Sequence, residues 1–118
     1  MKTIIPTRVA VVIFGIILAI FGITHFKMGS TMSALVPLPG GVIWVYVTGV
    51  ALILAAVSFI FDRKVRLSGY LFALFLLIVI FVVHVPLATT GDPMAITNIL
   101  KDTGLMMGAI VIANTSDN

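Results

Sequence analysis

The stretch "LSGYLFALFLLIVIFVVHV", residues 67–85, decides the fold. It runs 19 residues without one Asp, Glu, Lys or Arg. Roughly 20 apolar residues make a helix that crosses a bilayer. In lipid, every backbone N–H and C=O must be satisfied within the segment, and a single segment does this only as a helix. One residue does not fit an inert span. His84 places a titratable ring at the end of the run, two positions before Pro86.

The whole chain reads the same way. Of 118 residues, 61% are hydrophobic and only 9% charged, and the mean hydropathy is +1.28. Soluble domains carry about a quarter charged residues. Three further apolar runs are present: "VAVVIFGIILAIFGIT" (9–24), "VIWVYVTGVALILAAVSFIF" (42–61) and "MAITNILKDTGLMMGAIVIA" (94–113). Lys101 and Asp102 interrupt the last, which counts as a span because an odd number would strand an apolar tail. The reading is therefore an all-α membrane protein, a four-transmembrane-helix up-down bundle. Residues 1–118 form one membrane domain with spans at about 9–24, 42–61, 67–85 and 94–113, and no room for a soluble one. The first run is long for the apolar region of a signal peptide and lacks a small-residue cleavage site after it, so it reads as a retained helix.

Charge sets the direction. Lys2, Arg8, Arg63, Lys64 and Arg66 fall on one side, and only Lys27 and Lys101 on the other. Positive loops stay cytoplasmic, which predicts a cell (inner) membrane protein with both termini inside. The basic residues are scattered rather than gathered on one face, so nucleic acid is not an expected partner. With no cysteine, disulfides, thiolate catalysis and metal–thiolate sites are excluded. The first outer segment holds Pro37 and Pro39, with "MSALV" a candidate interfacial helix. "PLATTGDP" reads as a turn-rich loop.

The two halves resemble each other. "FGITH" and "FVVH" end spans one and three, and "TGVALILAAV" and "TGLMMGAIVI" lie in spans two and four. This suggests two related hairpins. His25 lies 17 residues beyond Arg8, and His84 lies 18 beyond Arg66. At 1.5 Å per residue, both rings sit roughly 26–27 Å up their helices, near the outer edge of the hydrocarbon layer. Asp102 and Lys101 lie about two turns inside the outer end of span four, so the ionisable groups converge in the outer leaflet if the helices bundle. Intramembrane ionisable groups face the bundle or a wet cavity, so His25, His84 and Asp102 are candidate ligand-binding residues. So is Trp44, which otherwise reads with Tyr46 as an interfacial anchor. The alternatives are headgroup-level imidazoles, an Asp102 that caps a shorter fourth helix, or a bond that only locks helices together. Lys101 is expected to snorkel outward. Two His and one Asp are metal-compatible ligand types, but their spacing specifies no metal site. Gly104 and Gly108 form a GxxxG step, a packing surface within the bundle or against another subunit. Gly15, Gly22, Gly49 and Gly69 read as close-packing positions.

"FGITHFKMGSTMSALVPLPGGVIWVYVTGVALILAAV", with "FVVHVP" and "KDTGLMMGA", resembles the DoxX-like integral membrane proteins from about Phe14 to Ala113. The resemblance implies a four-helix membrane bundle. Some members look like subunits of quinone-reducing oxidoreductases, and others like partners or assembly factors of larger membrane proteins. The positions it singles out are His25, Trp44, His84 and Asp102.

Two functions follow as expectations. In the first, which the sequence favours, this is a non-catalytic accessory, assembly or partner-binding subunit, working with a membrane-protein partner or as a homo-oligomer. In the second, it is a quinone- or lipid-binding subunit of a membrane oxidoreductase with an outer-leaflet His/Asp pocket. A transporter built from an oligomer is third. No cofactor is required, with quinone the candidate ligand, and no catalytic residue is assigned.

Overall fold

A computed structural model describes residues 3–34 and 39–117. The described chain is helical, with no strand: α1 (Thr7–Lys27), α2 (Gly29–Ser33), α3 (Gly41–Phe61), α4 (Val65–Val79), a π-helical turn (Ile80–His84), α5 (Val85–Thr89) and α6 (Ala95–Thr115). The π turn joins α4 to α5, so Val65–Thr89 is one continuous span. Four helices are long and apolar enough to cross a membrane. A helix of 21 residues rises about 31 Å, the thickness of the hydrocarbon layer. This is the four-helix up-down bundle expected from the sequence, its long helices running Thr7–Lys27, Gly41–Phe61, Val65–Thr89 and Ala95–Thr115.

Packing follows the two hairpins. α3 packs chiefly on α1, and α6 chiefly on α4. The contacts inside are made by small residues. A Cβ on Gly22 would lie 3.1 Å from the Gly49 carbonyl, and one on Gly69 would lie 2.9 Å from the Ala109 carbonyl. Ala55, Ala56, Ala109 and Ala113 are buried, whereas Ile13, Ile20, Leu54, Leu71 and Val111 face outward. In lipid, apolar side chains gain nothing by leaving the surface. Helices associate by close van der Waals approach, which small residues permit. Leu18 and Phe59 fill the space left between helices, and the Phe14 and Phe59 rings meet at 5.9 Å.

One end of the bundle is closed by basic side chains on helix C-termini. Arg8 donates to the Phe59 carbonyl at 2.6 Å and also to the Ile60 carbonyl, the last turn of α3. Arg66 donates to the Ser116 carbonyl at 2.9 Å, just past α6. Terminal carbonyls lack helical partners and carry the negative end of the dipole, so cations satisfy both needs. Asp62 and Lys64, both in the left-handed region (φ 56° and 52°), reverse the chain between α3 and α4.

Four expectations are corrected. The short helix expected at "MSALV" meets α2 at Met32 and Ser33, α2 beginning earlier at Gly29, and residues 35–38, Pro37 among them, lie outside the described residues. "PLATTGDP" does not begin as a loop, because Pro86 sits inside α5. In a regular helix the proline ring would collide with the carbonyl four residues earlier. The π turn widens the helix there, with the Val85 N–H bonded to the Ile80 carbonyl five residues back. Asp102 caps nothing, since it lies in the middle of α6. The GxxxG step is split as well. Gly108 faces the Phe14 ring, 2.8 Å from a Cβ placed there, but a Cβ on Gly104 would meet nothing within 4 Å. Gly104 points out of the bundle.

Candidate functional site

At the end of the bundle away from Arg8 lies a cavity of about 140 Å³. His25, Trp44, His84 and Asp102 all line it, each from a different span. Leu52, Leu76 and Leu105 form part of its apolar wall. α6 has the lowest mean hydropathy of the four spans, 1.3 against 2.3–2.9. The polar residues that lower it, Asn98, Lys101 and Asp102, all face this cavity.

The centre is Asp102, only 6% exposed. The π turn carries His84 to it, and His84 Nε2 lies 2.8 Å from Asp102 Oδ2. A π turn holds one more residue than an α turn and re-aims the side chains beyond it. Lys101 Nζ lies 3.7 Å from the other carboxylate oxygen and 5.1 Å from the centroid of the Phe21 ring. Lys101 therefore does not simply snorkel away. It stays half-exposed while holding Asp102 and the face of Phe21. An ionised carboxylate only accepts hydrogen bonds, so His84 Nε2 carries the proton in this pair. The Lys101 ammonium and the His84 N–H thus both face the Asp102 carboxylate. Such pairing is what a buried carboxylate requires.

His84 Nδ1 is buried and has no hydrogen-bond partner among the described residues. With Nε2 turned to the carboxylate, Nδ1 is left facing the interior with its hydrogen-bonding capacity unused. His25 is fixed differently. Its Nδ1 lies 2.7 Å from the Phe21 carbonyl one turn earlier. A carbonyl accepts only, so Nδ1–H donates and Nε2 is the open acceptor. His25 therefore makes no direct bond to Asp102, and the two histidines play unlike parts. Trp44 Nε1 donates to the Pro39 carbonyl at 2.8 Å. Its N–H pins the chain before α3, and its ring faces the cavity. Trp44 thus lines the cavity with its ring while its N–H holds the preceding chain, and it is about half exposed.

Reasoning from the sequence passed over Asn98 and Phe21. Asn98 lies four residues before Asp102 on the same helical face, so spacing alone would have found it. Its side-chain amide has no hydrogen bond among the described residues. Phe21 relates to His25 by the same spacing. Among the described residues no group of three His, Cys, Asp or Glu is placed to hold a metal ion.

Residues 14–114 match the family model described as a domain of unknown function, DUF8561. The chain belongs to the DUF8561 family. The stretch that matches DUF8561 contains every cavity residue named above and excludes Arg8, at the far end of the bundle. No curated protein and no solved structure matches this DUF8561 chain. Its site is therefore read from its own geometry.

Proposed function

We propose that this chain is a small membrane-embedded binding protein whose cavity takes the ring of a neutral, lipid-soluble ligand of the quinone class. The observation that carries this is the meeting of His25, Trp44, His84 and Asp102 in one cavity. The volume suits the ligand, since a cavity of about 150 Å³ holds one benzene-sized ring. The chemistry suits it too. The Lys101 ammonium and the Asp102 carboxylate offset each other, which suits a neutral guest. The Lys101 ammonium and the Asn98 amide donate to ring oxygens, and His25 Nε2 accepts from a reduced, hydroxyl-bearing form. The tail of such a ligand would lie among the outward-facing aliphatic side chains. The DoxX-like resemblance, with its quinone-linked members, supports the same class. On this reading the protein binds and supplies no catalytic group of its own.

The test uses the protein's single tryptophan. A short-chain quinone titrated into the purified chain is expected to quench Trp44 emission saturably. Lys101→Ala and Asn98→Ala should each weaken binding by roughly ten-fold, the worth of one good hydrogen bond. Absence of saturable quenching in the wild type would sink the proposal. Wild-type affinity in a His25→Ala/His84→Ala/Asp102→Ala triple variant would defeat the residue assignment.

An accessory-subunit reading is favoured by a separate observation. Gly104 leaves a bare notch on the outer face of α6, between the exposed Leu100 and Met107. A partner helix could approach there closely. The two readings are compatible, because the notch and the cavity lie on different faces of α6.

The proposed location is the cell (inner) membrane with both termini cytoplasmic, supported by the crowding of basic residues at the Arg8 end. The chain has no cysteine, so single cysteines report topology cleanly. A membrane-impermeant maleimide added to intact cells is expected to label Thr90→Cys and spare Ser116→Cys. The reverse pattern would invert the orientation.

A further inference from the structure

A second groove lies at the opposite end of the molecule, between α3 and α4. These helices share a tight turn, but each packs chiefly on another helix. The space between them is about 570 Å³. Its walls are apolar, with Ala51 and Ala55 on one side and Leu71 and Phe75 on the other. From Val65, where α4 begins, to Phe75 the helix rises about 15 Å. That is half of a ~30 Å hydrocarbon layer, the depth reached by an acyl chain of one leaflet.

The mouth of the groove is polar and positive. Arg63 and Lys64 line it, together with the hydroxyl-bearing Ser58 and Ser68. Four basic residues are described at this end, and they divide in two. Arg8 and Arg66 are committed to helix carbonyls. The side chains of Arg63 and Lys64 have no hydrogen bond or ion pair among the described residues, and these are the two that face the groove. Asp62 beside them carries an interaction of its own. The turn is also held in place, because the Ser58 hydroxyl donates to the Arg63 carbonyl and the Arg63 N–H donates to the Ser58 carbonyl at 3.0 Å. A held turn therefore carries two cationic side chains over an apolar slot one leaflet deep.

We propose that this groove is a binding site for an anionic diacyl phospholipid. One acyl chain lies between α3 and α4, and the phosphate sits between Arg63 and Lys64. Basic pockets between membrane helices recognise anionic headgroups in this way. A zwitterionic lipid fits the slot equally well but brings its own cation to the two already there. The site is independent of the ring-binding cavity, which lies at the other end of the bundle.

Native mass spectrometry of the full chain, released from micelles containing equal phosphatidylglycerol and phosphatidylcholine with identical tails, tests this. The wild type is expected to retain one phosphatidylglycerol in strong preference. Each cation contributes about five-fold, from about 1 kcal/mol near a membrane surface. Arg63→Gln/Lys64→Gln should bring the two lipids close to parity, and Lys27→Gln at the far end should leave the preference intact. Ser68→Phe, which fills the slot and spares the cations, should lower retention of both lipids, with circular dichroism confirming the helical fold. Equal retention of the two lipids by the wild type overturns the proposal. So does a preference that survives the double variant. Full retention by Ser68→Phe also overturns it, by placing the headgroup on the turn with no chain in the groove. Trp44 quenching by quinone should be unchanged in all of these variants, so failure of this site and failure of the cavity are told apart.

Discussion

Replacing Asp102 by alanine is expected to destabilise the bundle by about 2 kcal/mol and to abolish ring binding. Two magnitudes compete in that estimate. Removing one partner of a buried charged pair in a soluble protein costs about 3–5 kcal/mol. Polar bonds between membrane helices average only about 0.6 kcal/mol, because the separated helices find other partners in the bilayer. Asp102 lies between these limits. Its loss leaves His84 Nε2–H without an acceptor inside the bundle, on a ring whose Nδ1 is already unpartnered. A buried unsatisfied group costs about 1–3 kcal/mol. Lys101 escapes most of its share, because its side chain is 42% exposed and can turn to water. Asp102→Asn keeps an acceptor for His84 and should cost under about 1 kcal/mol. Replacing both partners together, as His84→Phe/Asp102→Leu, should restore stability to near wild type, since it removes the polar groups instead of orphaning one. Unfolding by denaturing detergent, followed by circular dichroism, measures all three variants against the wild type. If Asp102→Ala proves as stable as the wild type, the His84–Asp102 bond is not a clasp between the π turn and α6.

Gly69→Val should be at least as damaging, at about 3 kcal/mol. A Cβ at Gly69 would stand 2.9 Å from the Ala109 carbonyl oxygen and 2.9 Å from the Ala113 Cβ. Neither can swing aside as a flexible side-chain tip would, so α6 must move away from α4. Overpacking of tight interiors costs about 1–3 kcal/mol, and valine adds three carbons where even the first does not fit. Gly104→Val is the matched control, with nothing within 4 Å of the new atom, and should be close to neutral for the isolated chain. The pair also bears on the accessory reading. If Gly104→Val leaves the purified protein intact but abolishes co-purification of a membrane partner, the notch is an interface. Equal tolerance of valine at both positions would contradict the packing of α4 on α6.

Much of the site was legible before the fold was known. Hydropathy placed the spans, the rise per residue put His25 and His84 at one height, and Asp102 fell in the same half of the fourth span. What could not be read was rotation about the helix axis. Lys101 and Asp102 are neighbours in sequence and point about 100° apart in a helix, yet the flexible lysine stem folds back to within 3.7 Å of the carboxylate. His25 had the same residue type and height as His84, but bonds its own helix at Phe21 instead of reaching across. The difference lies in the π turn, present in the third span and absent from the first. The glycines divided for a similar reason. Gly69 and Gly104 look alike in the sequence, and only the neighbours of each helix reveal which one is inside.

The amino-acid sequence by itself determined that this chain is a four-span helical bundle and which residues lie at which depth. Those properties are local, since transfer of a segment into lipid depends on its own side chains and its own backbone hydrogen bonds. Only the tertiary structure decided which polar side chains meet, which small residues pack and where the two cavities open. Those depend on the azimuth of each helix about its axis. Azimuth is set by contacts between spans distant in sequence and, at Pro86, by one widened turn that re-aims everything beyond it.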